Sequence, residues 1–237
     1  MTDLSYAASF DLETTGVSVL NDRIVTSSVA YLGPDNSLID NWEWIVDPGV
    51  EIPEGASNVH GITTEIAQRD GQTPAQAVYE IAGIVSYFLN NAVPTIAYNA
   101  AYDFSLLNAE IQRHLGYENG LIHFLDKPEN LQYIVDPYLL DQQLDKWRKG
   151  SRTLTANAKH YGVVLDNAHT SFADCVAAAG VARGIWNKYP ILAGGNFPDL
   201  FDLQVRWYQE MMESRAEYFK SKNKEMNDFS TVWPIRT

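Results

Sequence analysis

Three short runs of β-branched and apolar residues open the chain, and tight turns separate them. In the third run, Trp42, Trp44 and Val46 recur at every second position, as expected for one face of a half-buried strand. A Gly-Pro-Asp-Asn turn sequence stands between the second and third runs. We predict strands at residues 5–13, 23–32 and 38–46, arranged as an antiparallel meander.

Beyond residue 74 the apolar residues adopt the three- and four-residue spacing of helices that bury one face. The predicted helices cover residues 74–90, 99–115, 139–147, 154–161, 172–186 and 199–222. Two short apolar runs, at 94–98 and 131–135, predict two further strands. A meander followed by strand–helix units predicts an α/β fold with a five-stranded mixed sheet flanked by helices.

A Gly-rich segment at 193–196 is the candidate domain boundary. It divides a main domain, residues 1–192, from a C-terminal helical extension, residues 193–237. The predicted last helix carries an apolar stripe formed by Phe201, Val205, Tyr208, Met212, Ala216 and Phe219. Such a stripe packs on its own domain or docks a partner, and packing is the more common case.

The composition is that of a soluble globular protein, with 46% hydrophobic, 20% charged and 12% aromatic residues. It excludes a disordered chain, collagen and a coiled coil. No uncharged apolar stretch is long enough to cross a membrane, and the N-terminus does not resemble a secretory signal. A single cysteine, Cys175, cannot form an internal disulfide. We therefore expect a cytoplasmic protein without a membrane partner.

The charge distribution limits the partners that the protein can bind. The net charge is −13, and residues 1–140 hold 19 acidic but only 4 basic side chains. Such a chain should not coat duplex DNA, although it could hold a few phosphates locally if metal ions supplied positive charge. A basic cluster comprises Lys146, Arg148, Lys149 and Arg152. This cluster could contact a nucleic-acid strand or form a solvated loop.

Asp11 and Glu13 are the sharpest local feature. On a strand, residues two positions apart share a face, so both carboxylates project together while Phe10 and Leu12 face the opposite way. Two adjacent carboxylates repel each other unless they share a proton or bind cations. Ligands that are all oxygens suit Mg²⁺ or Mn²⁺ rather than zinc. The alternative is a pair of solvated acids at the end of a strand.

Asp103 follows a predicted strand by a few residues, in the first turn of a predicted helix that Asn99 could cap. The helix dipole alone favours an acid at this position. Because consecutive elements of α/β units tend to be neighbours, however, Asp103 is also expected to face the crevice beside Asp11.

His169 and Asp174 form the last candidate pair. On one regular helix they would point about 140° apart, so both reach one site only if His169 lies on a loop and Asp174 in the first turn. Thr170 or Ser171 can cap that helix. The alternative is that Ser171 and Asp174 form a capping box and that His169 is an ordinary loop residue.

Taken together and in order, these segments resemble the DnaQ-like (DEDDh) 3′–5′ exonuclease family of the ribonuclease H-like superfamily. The resemblance covers roughly residues 5–190. The family's first motif matches Asp11-x-Glu13-Thr14, and its Val-His-Gly-Ile segment matches residues 59–62. The second motif matches Asn99, Tyr102 and Asp103, and the third matches His169 and Asp174. The sibling subclass has tyrosine where this chain has Thr170.

The resemblance implies a ribonuclease H-like fold and two Mg²⁺ or Mn²⁺ ions held by Asp11, Glu13, Asp103 and Asp174. It implies that His169 is the general base. Contacts to the terminal nucleotide are expected from Thr14, Thr15, His60 and Tyr102.

The implied substrate is the single-stranded or frayed 3′ end of DNA, with RNA trimming as the alternative. A DNA polymerase is a candidate partner. The closing segment, with Trp207-Tyr208-Gln209-Glu210 and Trp233-Pro234, is similar to extensions in actinobacterial and actinophage members of the polymerase III epsilon-like branch. A non-catalytic module that docks on a polymerase is a third interpretation. One departure from the family pattern is Tyr98, where many members carry histidine.

Overall fold

A five-stranded mixed sheet forms the centre of the protein. The computed structural model describes residues 2–118, 120–125, 127–165, 170–224 and 229–236. The strands are β1 (Ala7–Thr14), β2 (Ile24–Leu32), β3 (Leu38–Ile45), β4 (Thr95–Ile96) and β5 (Ile134–Val135). Their order is β3-β2-β1-β4-β5, with an antiparallel meander followed by two strands parallel to β1. The predicted fold class is confirmed.

Helices cover both faces of this sheet. They are α1 (Glu54–His60), α2 (Thr64–Asp70), α3 (Pro74–Asn90), α4 (Ala100–Leu115), α5 (Gly120–Leu125), α6 (Pro137–Leu144), α7 (Leu154–Tyr161), α8 (Ser171–Lys188) and α9 (Phe197–Ser221). The bounds predicted for α3 and α7 are confirmed. Among the described residues, no helix has both the length and the hydrophobicity to cross a lipid bilayer.

Strand β1 separates two hydrophobic clusters, and this separation orients the acidic side chains. Phe10 and Leu12 pack with α3 and α4, whereas Ala7, on the opposite face, packs with α8. Because side chains alternate along a strand, Asp11 and Glu13 lie on the α8 face, as the sequence predicts.

Helix α9 lies against the main body through the first part of its apolar stripe. Phe201, Tyr208 and Met212 are buried in the cluster that contains α3 and α4. After α9 the chain returns to the same cluster, where the Trp233 ring lies 5.3 Å from the Phe201 ring, centroid to centroid. This return places the last described residue, Arg236, beside α4.

Candidate active site

Three carboxylates meet where β1 ends and α8 begins. Asp11, Glu13 and Asp174 each offer an oxygen, and these oxygens all lie within 4.8 Å of one another. Asp174 reaches this position because it lies in the first turn of α8. Residues far apart in the sequence therefore form one acidic cluster.

The start of α8 decides between the two interpretations of its cap. Thr170 is the N-cap, and its Oγ1 accepts a hydrogen bond from the Ala173 N–H at 3.3 Å. The capping box with Ser171 is therefore wrong. The Ser171 hydroxyl is instead buried and lies 2.7 Å from the Ser28 Oγ on β2. His169 lies outside the described residues.

Asp103 adjoins the cluster from the first turn of α4. Its Oδ1 accepts the backbone N–H of Leu12, the residue between Asp11 and Glu13, at 3.2 Å. The Asp103 side chain is buried, and its negative charge raises the pKa of Asp11. Asp103 therefore lies next to the β1 segment that carries Asp11 and Glu13, but outside the group of oxygens that all lie within 4.8 Å of one another.

The N-terminus of α4 begins at the predicted residue. Asn99 is the N-cap, as the sequence predicts, with a left-handed backbone (φ +64°, ψ +48°), but its side chain makes no capping hydrogen bond. The carboxylate of Asp136 supplies the acceptors instead, bonding the N–H groups of Asn99 at 2.9 Å and Ala100 at 3.1 Å.

Asp136 is a buried residue that the sequence analysis missed. It also caps α6, through the N–H groups of Tyr138 and Leu139. Burial raises its pKa to about 6, while these backbone donors act in the opposite direction. The available signal was Asp136-Pro137, a capping acid before a proline at the first helical position. Asp136 therefore holds the helix that carries Asp103.

The acidic cluster is electrostatically unfavourable when every member is ionised. Burial is the largest cause that raises the pKa values of Asp11 and Asp103, and neighbouring carboxylates add to it. The pKa of Glu13 rises to about 7, through burial and the charge of Asp174. Among the residues that the structure describes, no basic side chain forms an ion pair with Asp11, Glu13 or Asp103. Oxygen donors with uncompensated charge fit hard divalent cations.

Divalent cations are expected to stabilise the protein more strongly at about pH 8 than at about pH 5. Because the pKa of Glu13 is raised, the folded state binds more protons than the unfolded chain between about pH 4.5 and 7. The stability of the metal-free protein should therefore fall as pH rises through this window. Because cations bind the ionised carboxylates, they should add more stability at the alkaline end. A cation at 100 times its Kd adds about 2.7 kcal/mol, or about 5–10 °C in melting temperature for a chain of this length.

The measurement is thermal unfolding across this pH range, with EDTA and with Mg²⁺ or Mn²⁺. A cation-induced shift that is equal at both pH values, or larger at the acidic one, would contradict the expectation.

The predicted nucleotide contacts lie around the turn after β1. The hydroxyls of Thr14 and Tyr102 are 2.8 Å apart, and the Tyr102 hydroxyl donates to the Gly16 carbonyl at 2.5 Å. Burial lowers the pKa of His60. The nearby backbone carbonyl of Thr14 raises this pKa, but by less. Thr14, Tyr102 and His60 thus lie near one another, beside Glu13.

Thr15 is placed differently from these three residues. Its side chain is buried, its Oγ1 donates to Asp22 Oδ1 at 2.9 Å, and the same oxygen accepts the Arg23 N–H at 3.0 Å. A substrate contact from the Thr15 side chain would have to use its one remaining lone pair or displace these bonds. The contact predicted for Thr15 stays a prediction.

Two members of the basic cluster are used inside the protein. Arg148 Nη2 lies 2.6 Å from Asp141 Oδ2, and Arg152 pairs with the same oxygen. Asp141 is completely buried and also accepts the Tyr161 hydroxyl at 2.7 Å. These two arginines are therefore neither solvated nor free to bind a nucleic-acid strand, because the buried carboxylate requires their charge.

An open cleft of about 820 Å³ leads to the acidic cluster. Tyr98 lies in its wall, where its hydroxyl donates to the Arg152 carbonyl at 2.6 Å and accepts the Asn157 amide at 2.7 Å. The side chain at this departure from the family pattern therefore anchors the segment before α7. Other residues that line the cleft include Asp11, Glu13, Asn99, Tyr138, Asp174, Arg215 and Arg236, together with residues 150–154.

Comparison with known proteins agrees with this architecture. The exonuclease family model RNase_T matches residues 9–182, so the chain belongs to this DnaQ-like exonuclease family. Similar curated proteins are PolC-type DNA polymerases III. That of Lacticaseibacillus paracasei is 27% identical over 71% of this chain, and that of Clostridium perfringens is 28% identical over 76%. The chain spans only 10% and 11% of their lengths.

Solved structures of exonuclease I share the fold. One, described as suggesting how processivity is achieved, has a TM-score of 0.65 at 21% identity and covers 84% of this chain and 43% of its own. Exonuclease I of E. coli in complex with a dT13 oligonucleotide has a TM-score of 0.63 at 20% identity, over 80% of this chain and 43% of its own. The chain therefore spans less than half of these neighbours.

Proposed function

We propose that the protein is a 3′–5′ exonuclease that removes nucleotides from the 3′ end of DNA with two divalent cations and a histidine base. The observation that carries this proposal is the cluster of Asp11, Glu13 and Asp174 oxygens within 4.8 Å, at the end of an open cleft. A member of an exonuclease family with such a cluster has the donors that metal-assisted phosphodiester hydrolysis requires.

The four acids would hold the cations, with Asp11 between the others. Two divalent cations held by these acids would supply activation of the attacking water and stabilisation of charge on the departing 3′ oxygen. The chain's own contribution is rigid placement. Asp103 is fixed by the Leu12 N–H, and its helix is fixed by Asp136. Carboxylates that are held in advance do not need to reorganise during the reaction.

His169 is proposed to accept the proton of the attacking water. It precedes the cap of the helix that carries Asp174 by one residue in the sequence. An imidazole with an ordinary pKa near 6.5 is suited to this task at neutral pH.

Recognition of the 3′ end is assigned to the surroundings of Thr14. The paired hydroxyls of Thr14 and Tyr102 lie beside Glu13, where a terminal nucleotide would sit if its phosphate reached the cluster. His60 and Tyr102 offer rings on which bases of any sequence can stack.

DNA is the proposed substrate because structural neighbours include exonuclease I bound to DNA oligonucleotides. Association with a DNA polymerase stays a prediction, supported by relatives that are polymerases.

The test is hydrolysis of single-stranded oligonucleotides labelled at either end. With Mg²⁺ or Mn²⁺, a 5′ label should move through a ladder that shortens by single nucleotides, and a 3′ label should leave at once as a 5′-mononucleotide. EDTA should abolish both reactions. Internal cleavage, or activity that EDTA does not affect, would contradict the proposal. A matched RNA that is degraded faster than DNA would contradict the choice of substrate.

A further inference from the structure

Two arginines from the C-terminal extension line the cleft that leads to the acidic cluster. Arg215 lies on α9 and Arg236 lies in the segment that follows it. Both lie outside residues 9–182, which the family model matches. They therefore add positive charge to the cleft from outside the part of the chain that the family model matches.

Arg215 is held by an uncharged partner. Its Nη2 donates to the hydroxyl of Tyr138, and its guanidinium lies over the same ring, 5.8 Å from the centroid. A guanidinium has five N–H donors, so this bond leaves four for another acceptor. Because the phenol carries no net charge, this contact does not neutralise the arginine, which lines the cleft.

Arg236 is anchored more firmly. Its backbone N–H donates to the Ser105 Oγ on α4 at 2.7 Å, and its Nε donates to the Tyr208 hydroxyl on α9 at 3.1 Å. Burial of Trp233 and Ile235 fixes the segment just before it. Within the described ranges, neither Arg236 nor Arg215 forms an ion pair with a carboxylate.

This arrangement differs from that of Arg148 and Arg152. Those two arginines neutralise the buried Asp141, as structural arginines commonly do. Arg215 and Arg236 have no such acid to neutralise, although the protein carries a net charge of −13 and offers many carboxylates. Two preorganised guanidinium groups beside a site for phosphodiester chemistry suit bidentate binding of phosphate.

We propose that Arg215 and Arg236 bind backbone phosphates of the substrate strand upstream of the scissile bond, so that the C-terminal extension forms part of the substrate-binding site. This proposal rests on the proposed function, because the strand must enter the cleft to reach the acidic cluster. The scissile phosphate belongs at the carboxylates, and the arginines serve the phosphates that precede it.

The test compares Arg215→Ala, Arg236→Ala and the double variant with Arg206→Ala as a matched control. Arg206 is exposed on the same helix, nine residues or two and a half turns from Arg215, and so on the opposite face.

Each cleft variant should lower kcat/KM on a long single-stranded oligonucleotide about tenfold, through an increase in KM, as expected for a lost charged hydrogen bond. The loss should shrink as the substrate shortens to a dinucleotide. Arg215→Lys should recover only part of it, because lysine retains the charge without the fork.

Binding to a fluorescent oligo(dT) in EDTA provides a second measurement that needs no cleavage. Each lost phosphate contact should reduce the slope of log affinity against log salt by about 0.7. If the wild type binds the oligonucleotide but does not cut it, the proposed function fails while the arginine variants still test the inference. If Arg236→Ala does not fold, Arg215→Ala and Arg215→Lys carry the test alone.

Two results would overturn the inference. One is a double variant that matches Arg206→Ala in both affinity and salt dependence. The other is a loss that is the same for a dinucleotide and a long strand, which would place the arginines at the scissile phosphate rather than upstream of it.

Discussion

Asp174→Asn is expected to lose at least about 10³-fold in turnover while its metal-free form becomes more stable, not less. Loss of one ligand removes several kcal/mol of transition-state stabilisation, and each 1.36 kcal/mol corresponds to a factor of ten. The same substitution removes a negative charge that raises the pKa values of Asp11 and Glu13. Less repulsion in the folded state means a higher melting temperature in EDTA at neutral pH.

Asp11→Asn should behave in the same way, because Asp11 belongs to the same cluster. Single-turnover cleavage of a 3′-labelled oligonucleotide measures the first effect, and thermal unfolding in EDTA measures the second. Asp70→Asn is the matched control, since this exposed acid lies on α2 and pairs with its neighbour Arg69 rather than with the acidic cluster. An Asp174→Asn enzyme that keeps its activity, or that melts lower than wild type in EDTA, would argue against a metal-binding cluster.

His169→Ala is expected to reduce kcat by about 10²–10⁴-fold, the usual contribution of a general base. Cation affinity should stay close to that of the wild type, because the proposed ligands are the four carboxylates. With the cations at saturating concentration, the rate of the variant should also lose the part of its pH dependence that an ordinary imidazole contributes near about 6.5.

His160→Ala is the matched control for this experiment. His160 lies on α7, where its Nε2 is 3.1 Å from the Lys188 Nζ, and it is not among the residues that line the cleft. The measurements are the pH profile of kcat and a Mn²⁺ titration of each variant. A His169→Ala enzyme within a few-fold of wild type would show that another group takes the proton.

The parts of the fold that the sequence could predict are those with strong periodicity. Alternation along β1 correctly separates Phe10 and Leu12 from Asp11 and Glu13, because opposite faces of a sheet meet different layers. The bounds of α3 follow from its long apolar stripe, because this helix buries one face along its length. The places of Asp103 and Asp174 in first helical turns also follow from local signals, whereas the grouping of the four acids was implied by the resemblance to the family.

Features that depend on distant partners were not predictable. Helix α1 has no buried residue, so it leaves no apolar stripe in the sequence. Strands β4 and β5 are only two residues long, shorter than their apolar runs suggest. The cap of α4 comes from Asp136, 37 residues beyond Asn99, and no local pattern at Asn99 reveals it. The ion pair of Arg148 with Asp141 likewise could not be predicted, because it depends on the burial of Asp141 in the folded chain.

The amide of Gln204 connects the last helix to the edge of the sheet. On the buried face of α9, its Oε1 accepts the Asp136 N–H at 2.8 Å and its Nε2 donates to the Ile134 carbonyl at 2.9 Å. Removal of α9 would transfer both peptide groups from these bonds to water, beside the acid that holds α4. The geometry of β5 and of the start of α4 is therefore coupled to the last helix.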